Sequence, residues 1–256
     1  MEVLLVLSVL PSIILGWYIY KNDRLEKEPT PLLIKLLLGG LGSVILTLII
    51  SGILQAFVPA LEDYSNYNAV GIFFYSLLFV GLTEEFCKWI FLKSMTWKNK
   101  AFGHIYDAIV YAVFVSLGFA TIENILYVFS GGLSVAILRA IFSVPGHTFF
   151  GVFMGYFYGL AKKHEIINDK KKKAKYLILS IIVPALLHGI FDFCLFVGDL
   201  KAVVIYLIFV IGLYIYAFKT VKKISNINAR LYNTFCSNCG TKVSSNYCPN
   251  CGNRIN

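Results

Sequence analysis

The chain has 256 residues, 58% of them hydrophobic and only 14% charged, with a net charge of +9 and a mean hydropathy of +0.73. A soluble domain carries about 25% charged residues, so this composition excludes a soluble globular protein and puts most of the length in lipid. The basic excess belongs to membrane-flanking loops and anionic lipid, and no nucleic-acid partner is expected.

Seven segments are long and apolar enough to span a bilayer: about 3–20, 31–58, 69–95, 104–129, 133–160, 176–197 and 201–218. The sequence therefore predicts an all-α, polytopic membrane helix bundle at the cell membrane. The first span lacks a basic leader and an Ala-x-Ala cleavage site, which favours a retained helix over a removed signal peptide. Lys21, Arg24 and Lys27 follow it. Lys93, Lys98 and Lys100 lie at the end of the third span, and Lys162, Lys163, Lys170 to Lys173 and Lys175 follow the fifth. Lys219, Lys222 and Lys223 follow the seventh, whereas 59–68 and 130–132 carry no Lys or Arg. The positive-inside rule then predicts the N-terminus outside and the C-terminus in the cytoplasm. Ser130-Gly131-Gly132 separates the fourth and fifth spans and predicts a tight helical hairpin. The lysine run at 170–173 reads as a solvated cytoplasmic loop within a linker at about 161–175. The first two spans are expected to brace the third to sixth.

Several charged or polar residues interrupt the apolar spans. They are Glu84-Glu85-x-x-Lys88, Asp107, Glu123-Asn124, Arg139, His147 and His188-x-x-x-Asp192. Each charge at mid-bilayer opposes insertion by roughly 2.5–3.5 kcal/mol, so such residues mark a functional site. With a rise of 1.5 Å per residue, Glu84, Glu85, His147 and His188 fall at one level near the middle of their helices. Asp192 is one turn from His188 on the same face, and Lys88 is one turn from Glu84. Across the hairpin Glu123 and Arg139 are at matching heights and are expected to pair. Asp107 is near the level of Lys88, a second expected pair. His104 and His164 fall at the cytoplasmic boundary, where solvent is expected. Cys87 and Cys194 read as small apolar fillers, and Gly151, Gly155 and Gly159 as a close-packing face.

The transmembrane part is placed at residues 1–220 and a cytoplasmic tail at 221–256. In the tail, Cys236-x-x-Cys239-Gly and Cys248-x-x-Cys251-Gly form two knuckles. Four thiolates make a closed tetrahedral site, the pattern of a structural zinc ribbon. With almost no apolar core, metal binding would supply most of the tail's folding free energy. Its role is expected to be binding or regulation, with a cytosolic partner.

Buried carboxylates beside imidazoles can activate water, and the same Glu and His set can instead hold a divalent metal. The sequence has no H-E-x-x-H, no G-x-S-x-G and no paired-Asp motif. A proton- or ion-coupled transporter uses similar residues, and a non-catalytic immunity or binding protein is a third reading.

Four signals in order, Glu84-Glu85-Phe86-Cys87-Lys88, Asp107 with Gly118 to Asn124, Pro145 to Gly151, and Leu187 to Phe193, resemble the PrsW family of bacterial intramembrane proteases. The resemblance covers residues 70–197, with CAAX prenyl proteases and bacteriocin-processing proteins as wider relatives. It implies an endopeptidase of glutamic or metallo type that cuts a membrane-protein substrate. In that reading Glu84 or Glu85, with His147, activates water, and His188 with Asp192 orients or stabilises the oxyanion. Many relatives have Asn where this chain has Asp192. The substrate implied is a membrane-bound anti-sigma factor, cut at site 1 under envelope stress.

Overall fold

A computed structural model describes residues 2–24, 27–232, 234–236, 238–243 and 248–253. Lipid offers no partner for backbone N–H and C=O groups, so each crossing must satisfy its own hydrogen bonds as a helix. The crossings are α1 (Glu2–Lys21), α2 (Thr30–Phe57) and α3 (Ala69–Thr96), then a continuous helical stretch Ile105–Ile166. They are followed by α6 (Lys170–Val197) and α7 (Leu200–Tyr232).

The stretch Ile105–Ile166 reverses at a single residue. Gly132 has φ 72 and ψ −158, a conformation open to glycine because it has no Cβ. We call its arms α4 (105–131) and α5 (133–166). Arg139 reaches back to Glu123, and a Cβ at Gly159 would stand 2.8 Å from the Ile105 Cα, so the arms are antiparallel. The expected hairpin is present, with one glycine making the turn. The stripe Gly151, Gly155, Gly159 lies against α4 at Ser116, Ala108 and Ile105, as a close-packing face requires.

Two helices widen to π geometry just ahead of their polar residues. In α3 the wide segment is Tyr75–Leu82, ending two residues before Glu84. In α5 it is Arg139–Ser143, ending four residues before His147. Such turns interrupt the regular ladder and frequently accompany functional sites. Pro145 has no N–H to offer Ile141 four residues back. The Tyr214 hydroxyl of α7 donates to that carbonyl at 2.8 Å and to the Phe142 carbonyl at 3.1 Å.

The first two helices brace the bundle as expected. From α4, Asn124 Nδ2 donates to the Ser8 carbonyl of α1 at 2.8 Å and Thr121 to the Ser12 hydroxyl at 2.7 Å. Gly40 of α2 rests on the α4 backbone at Val115 and Phe119. At the lysine-rich face, Tyr106 donates to the Ile19 carbonyl and Ser225 to the Asn22 carbonyl. At the opposite face, Tyr64 stacks on Phe196 with centroids 4.5 Å apart. The side chains facing outward are apolar, Ile208, Ile211 and Ile215 of α7 among them, as a lipid-facing surface should be.

The linker predicted at 161–175 is mostly helical, leaving only 167–169 between α5 and α6. Lys170 to Lys173 form the first turn of α6 rather than a loop, because Asp169 accepts the Lys172 amide at 3.0 Å and caps the helix. His104 likewise caps α4, and His164 stacks on Tyr176, so both boundary histidines are partly buried. Cys87 and Cys194 are buried and free. In the tail, Thr234–Phe235 pairs antiparallel with Lys242–Val243.

Candidate active site

The site starts from Lys88, whose side chain is fully buried. A buried ammonium must be surrounded by acceptors, and three are within reach. Its Nζ lies 2.7 Å from Glu85 Oε1, 3.3 Å from Glu84 Oε2 and 3.1 Å from His147 Nδ1. It also sits 4.0 Å above the Phe119 ring of α4. Close approach of α3 and α6 makes this convergence possible. A Cβ at Gly81 would be 2.7 Å from the Ala185 carbonyl, and one at Gly189 would be 2.7 Å from the Leu77 Cα.

Hydrogen-bond chemistry then assigns His147. Lysine only donates, so Nδ1 accepts and Nε2 carries the proton. Nε2–H points to Glu123 Oε2 at 2.8 Å. The same Glu123 oxygen accepts from Arg139 Nη2 at 2.8 Å, while Arg139 Nε donates to Asn124 Oδ1 at 3.0 Å. The expected Glu123–Arg139 pair is present and gains His147 as a third member.

His188 is held from both sides. Nδ1 is 3.0 Å from Glu85 Oε1, and Nε2 is 3.3 Å from Asp192 Oδ2 and 3.9 Å from Glu84 Oε2. Only a doubly protonated ring donates to carboxylates at both nitrogens. Phe150 stacks on it with centroids 4.9 Å apart, and the two imidazoles are 5.0 Å apart.

Asp107 does not pair with Lys88. Its Oδ2 accepts the amides of Gly103 at 2.9 Å and His104 at 2.7 Å. A carboxylate three residues into a helix finds those orphan N–H groups locally, and the local bonds prevail over depth matching.

A cavity of about 690 Å³ opens on this cluster and is lined by Glu84, Glu123, Arg139, His147, His188 and Asp192. Tyr64, Tyr75, Tyr127, Phe142 and Tyr206 form other parts of its wall. The cavity reaches Tyr64 and Gly198, on the face opposite the lysines. The two adjacent glutamates differ here. Glu84 lines the cavity and its side chain is 12% exposed, whereas that of Glu85 is sealed at 0%. Sequence reasoning left the pair undivided and did not single out the cavity tyrosines; an aromatic residue in an apolar span carries no distinguishing signal.

The donor set also fits a divalent ion. Glu84, Glu85, His147 and His188 each offer a ligand atom, all within 4.8 Å of one another. Glu85 Oε2 is buried with no hydrogen-bond partner among the described residues, and imidazole with carboxylate is a zinc donor set. Four carboxylates (Glu84, Glu85, Glu123, Asp192) face two fixed cations, Lys88 and Arg139. A second proton on His188 together with a proton on one carboxylate, or a divalent ion, supplies the remaining balance.

In the tail, the Sγ atoms of Cys236, Cys239, Cys248 and Cys251 lie within 4.8 Å of one another. Cys236–Cys251 and Cys239–Cys248 are each 3.5 Å apart, near the ~3.8 Å edge of a tetrahedron with ~2.3 Å metal–sulfur bonds. The knuckles repeat one geometry. Gly240 and Gly252 both have φ 70, and their amides return to the Cys236 and Cys248 carbonyls at 2.8 and 2.9 Å.

A multi-helix bundle holding water-activating carboxylates and imidazoles around a cavity at bilayer depth has the make-up of an intramembrane hydrolase. The family described as PrsW family intramembrane metalloprotease matches residues 28–217. Protease PrsW of Clostridioides difficile (strain 630) is 33% identical over 233 residues, spanning 90% of this chain and 94% of the relative. Protease PrsW of Oceanobacillus iheyensis is 39% identical over 188 residues, spanning 73% and 80%. The Bacillus subtilis (strain 168) protein of the same name is 34% identical over 222 residues, spanning 86% and 95%. No solved structure matches the chain. The chain belongs to the PrsW family: it is an intramembrane protease, a peptidase acting on membrane proteins in the bilayer.

Lys88→Met should leave Glu84 and Glu85 uncompensated and lower stability by about 3–5 kcal/mol, as breaking a buried ion pair does. Thermal unfolding of the purified protein measures this, and Lys88→Met/Glu85→Gln should recover part of the loss. A wild-type midpoint for Lys88→Met alone would refute the central role of the ammonium.

Proposed function

We propose that Glu84 is the group that activates water for peptide hydrolysis, and that Glu85 is a positioning residue. The observation that carries this is their unequal exposure: only Glu84 meets the cavity. Glu84 takes a proton from the attacking water and returns it to the leaving amine. Glu85 anchors Lys88 and His188 by bonds of 2.7 and 3.0 Å. His188, held by Glu85 and Asp192, places positive charge beside the developing oxyanion. His147 acts through Lys88, with Glu123, Asn124 and Arg139 fixing its ring from behind.

A second reading uses a metal and is favoured by the orphaned Glu85 Oε2 and by the family description. Glu84, Glu85, His147 and His188 would hold the ion, which supplies Lewis-acid polarisation and a more acidic water. Lys88 would then have to yield the acceptors it shares.

The protease part occupies residues 1–220 and the tail 221–256, where Cys236, Cys239, Cys248 and Cys251 hold a structural zinc. The tail lies beyond the family match and offers a recognition surface for a cytosolic partner. The resemblance supplies a membrane-anchored anti-sigma factor, cut at site 1, as the substrate. The lysine-bearing loops favour an external N-terminus and a cytoplasmic C-terminus, so that the cavity opens outward.

Glu84→Gln should lower cleavage by about 10²–10⁴-fold with little change in thermal midpoint, whereas Glu85→Gln should lower both. New protein N-termini in cells expressing each variant at equal levels give the readout. Substrate termini that persist with Glu84→Gln would defeat the assignment.

Full-length protein should carry one equivalent of zinc that Cys236→Ser/Cys248→Ser removes. A further equivalent, kept in that variant and lost in His147→Ala, would establish the metal reading. Zinc unchanged by the cysteine substitutions would refute the tail site.

For topology, Ser65→Cys should react with a membrane-impermeant maleimide in intact cells, and Lys100→Cys only after permeabilisation. The reverse pattern would invert the assignment.

A further inference from the structure

Peptide hydrolysis needs a hydrogen-bond donor where the carbonyl oxygen becomes an oxyanion, and the polar cluster offers none that is uncommitted. Asp192 stands 3.3 Å from His188 Nε2, and an ionised carboxylate only accepts. Both His188 nitrogens are turned toward carboxylates. Lys88 is sealed among its three acceptors, and Arg139 is bound to Glu123 and Asn124.

The seventh helix brings a different donor to the cavity. Tyr206 lines it and is only 5% exposed. Its ring packs on Phe191, the neighbour of Asp192, at 5.0 Å and on Phe142 at 5.7 Å. A buried tyrosine hydroxyl ordinarily finds a partner, and other deeply buried tyrosines here obey that rule. Tyr106 donates to the Ile19 carbonyl, Tyr111 to Glu28, and Tyr158 pairs with Thr96. Two turns further along α7, Tyr214 caps the Ile141 carbonyl. The Tyr206 hydroxyl makes no hydrogen bond among the described residues, and it is not among the buried polar atoms cut off from any surface. With its residue on the cavity wall and no partner for its hydroxyl among the described residues, Tyr206 has a donor to offer a molecule that enters.

We propose that Tyr206 is a catalytic residue whose hydroxyl donates a hydrogen bond to the substrate carbonyl oxygen as that oxygen gains charge. The inference rests on Glu84 as the base. Water gives a proton to the Glu84 carboxylate and its oxygen bonds to the carbonyl carbon. The carbonyl π pair moves onto oxygen, which the intact Tyr206 O–H stabilises. When the C–N bond breaks, that pair restores C=O and the amine takes the proton from Glu84. Tyr206 thus fills the donor role that Asp192 cannot.

The test uses full-length protein in proteoliposomes with a membrane-protein substrate identified from its new termini. Tyr206→Phe removes only the unbonded hydroxyl, so its thermal midpoint should match wild type. Its kcat should fall about 10²–10³-fold, the effect of losing one oxyanion donor, with KM little changed. A phosphinic peptide built on the same cleavage sequence, which mimics the tetrahedral oxyanion, should lose affinity in parallel, while the uncleaved substrate binds Glu84→Gln/Tyr206→Phe as tightly as Glu84→Gln. Near-wild-type kcat in Tyr206→Phe, beside an inactive Glu84→Gln, would overturn the proposal alone. A lowered midpoint in Tyr206→Phe would mean that the hydroxyl is structural and would overturn it too. An active Glu84→Gln would instead overturn the reading beneath it.

Discussion

A lysine ammonium buried at bilayer depth is the constraint on which this bundle depends. Left unpaired in a low-dielectric interior, the Lys88 charge would cost several kcal/mol even after relaxation. Its acceptors come from α3 itself and from α5, with the Phe119 ring of α4 beneath it. Through Glu85 it is tied to His188 on α6. Four helices must therefore meet at one point for any of these charges to be tolerable. Close glycine contacts between α3 and α6, and between α4 and α5, allow that meeting. Specific packing and charge neutralisation are one requirement here, since neither can be relaxed without disturbing the other.

Charges in apolar sequence are conspicuous, so the polar residues that cluster here were legible in the sequence alone. A fixed rise per residue put Glu84, Glu85, His147 and His188 at one level, and their donor atoms do converge. The Glu123–Arg139 pair was legible for a geometric reason: a turn as short as Gly132 brings positions at similar distances on its two sides to similar heights, where they can meet. Two cysteine knuckles likewise announce their own geometry through fixed spacing and glycine. Asp107 shows where depth misleads. Height is a necessary condition for contact, but an amide three residues away is always within reach, and the capping bonds formed.

Rotation about the helix axis was less legible than height. Glu84 and Glu85 differ by about 100° around α3, and only the packing of α6 decides which one meets the cavity. The π segment Tyr75–Leu82 adds to the difficulty, because it departs from the 3.6-residue period just upstream. His147 posed a similar problem. Its partners are fixed by tautomer and geometry, with Lys88 on one nitrogen and Glu123 on the other. No property of the sequence Pro145-Gly146-His147 encodes that division.

An intramembrane protease must admit water and still keep enough low-dielectric surroundings for its dipoles to count. The cavity meets both demands by having a polar floor and a largely aromatic wall. Glu84, His188 and Asp192 are on the floor, while Phe142, Phe150 and Phe191 limit how much solvent surrounds them. In such a site each donor already bonded to a carboxylate is weakened for any further task. The network that makes the charges tolerable therefore consumes the donors that chemistry needs. A hydroxyl from outside the network, held by packing alone, escapes that conflict. Tyr206 has that character: its ring is fixed by Phe191 and Phe142, and its O–H remains available to an oxygen that acquires charge only during reaction.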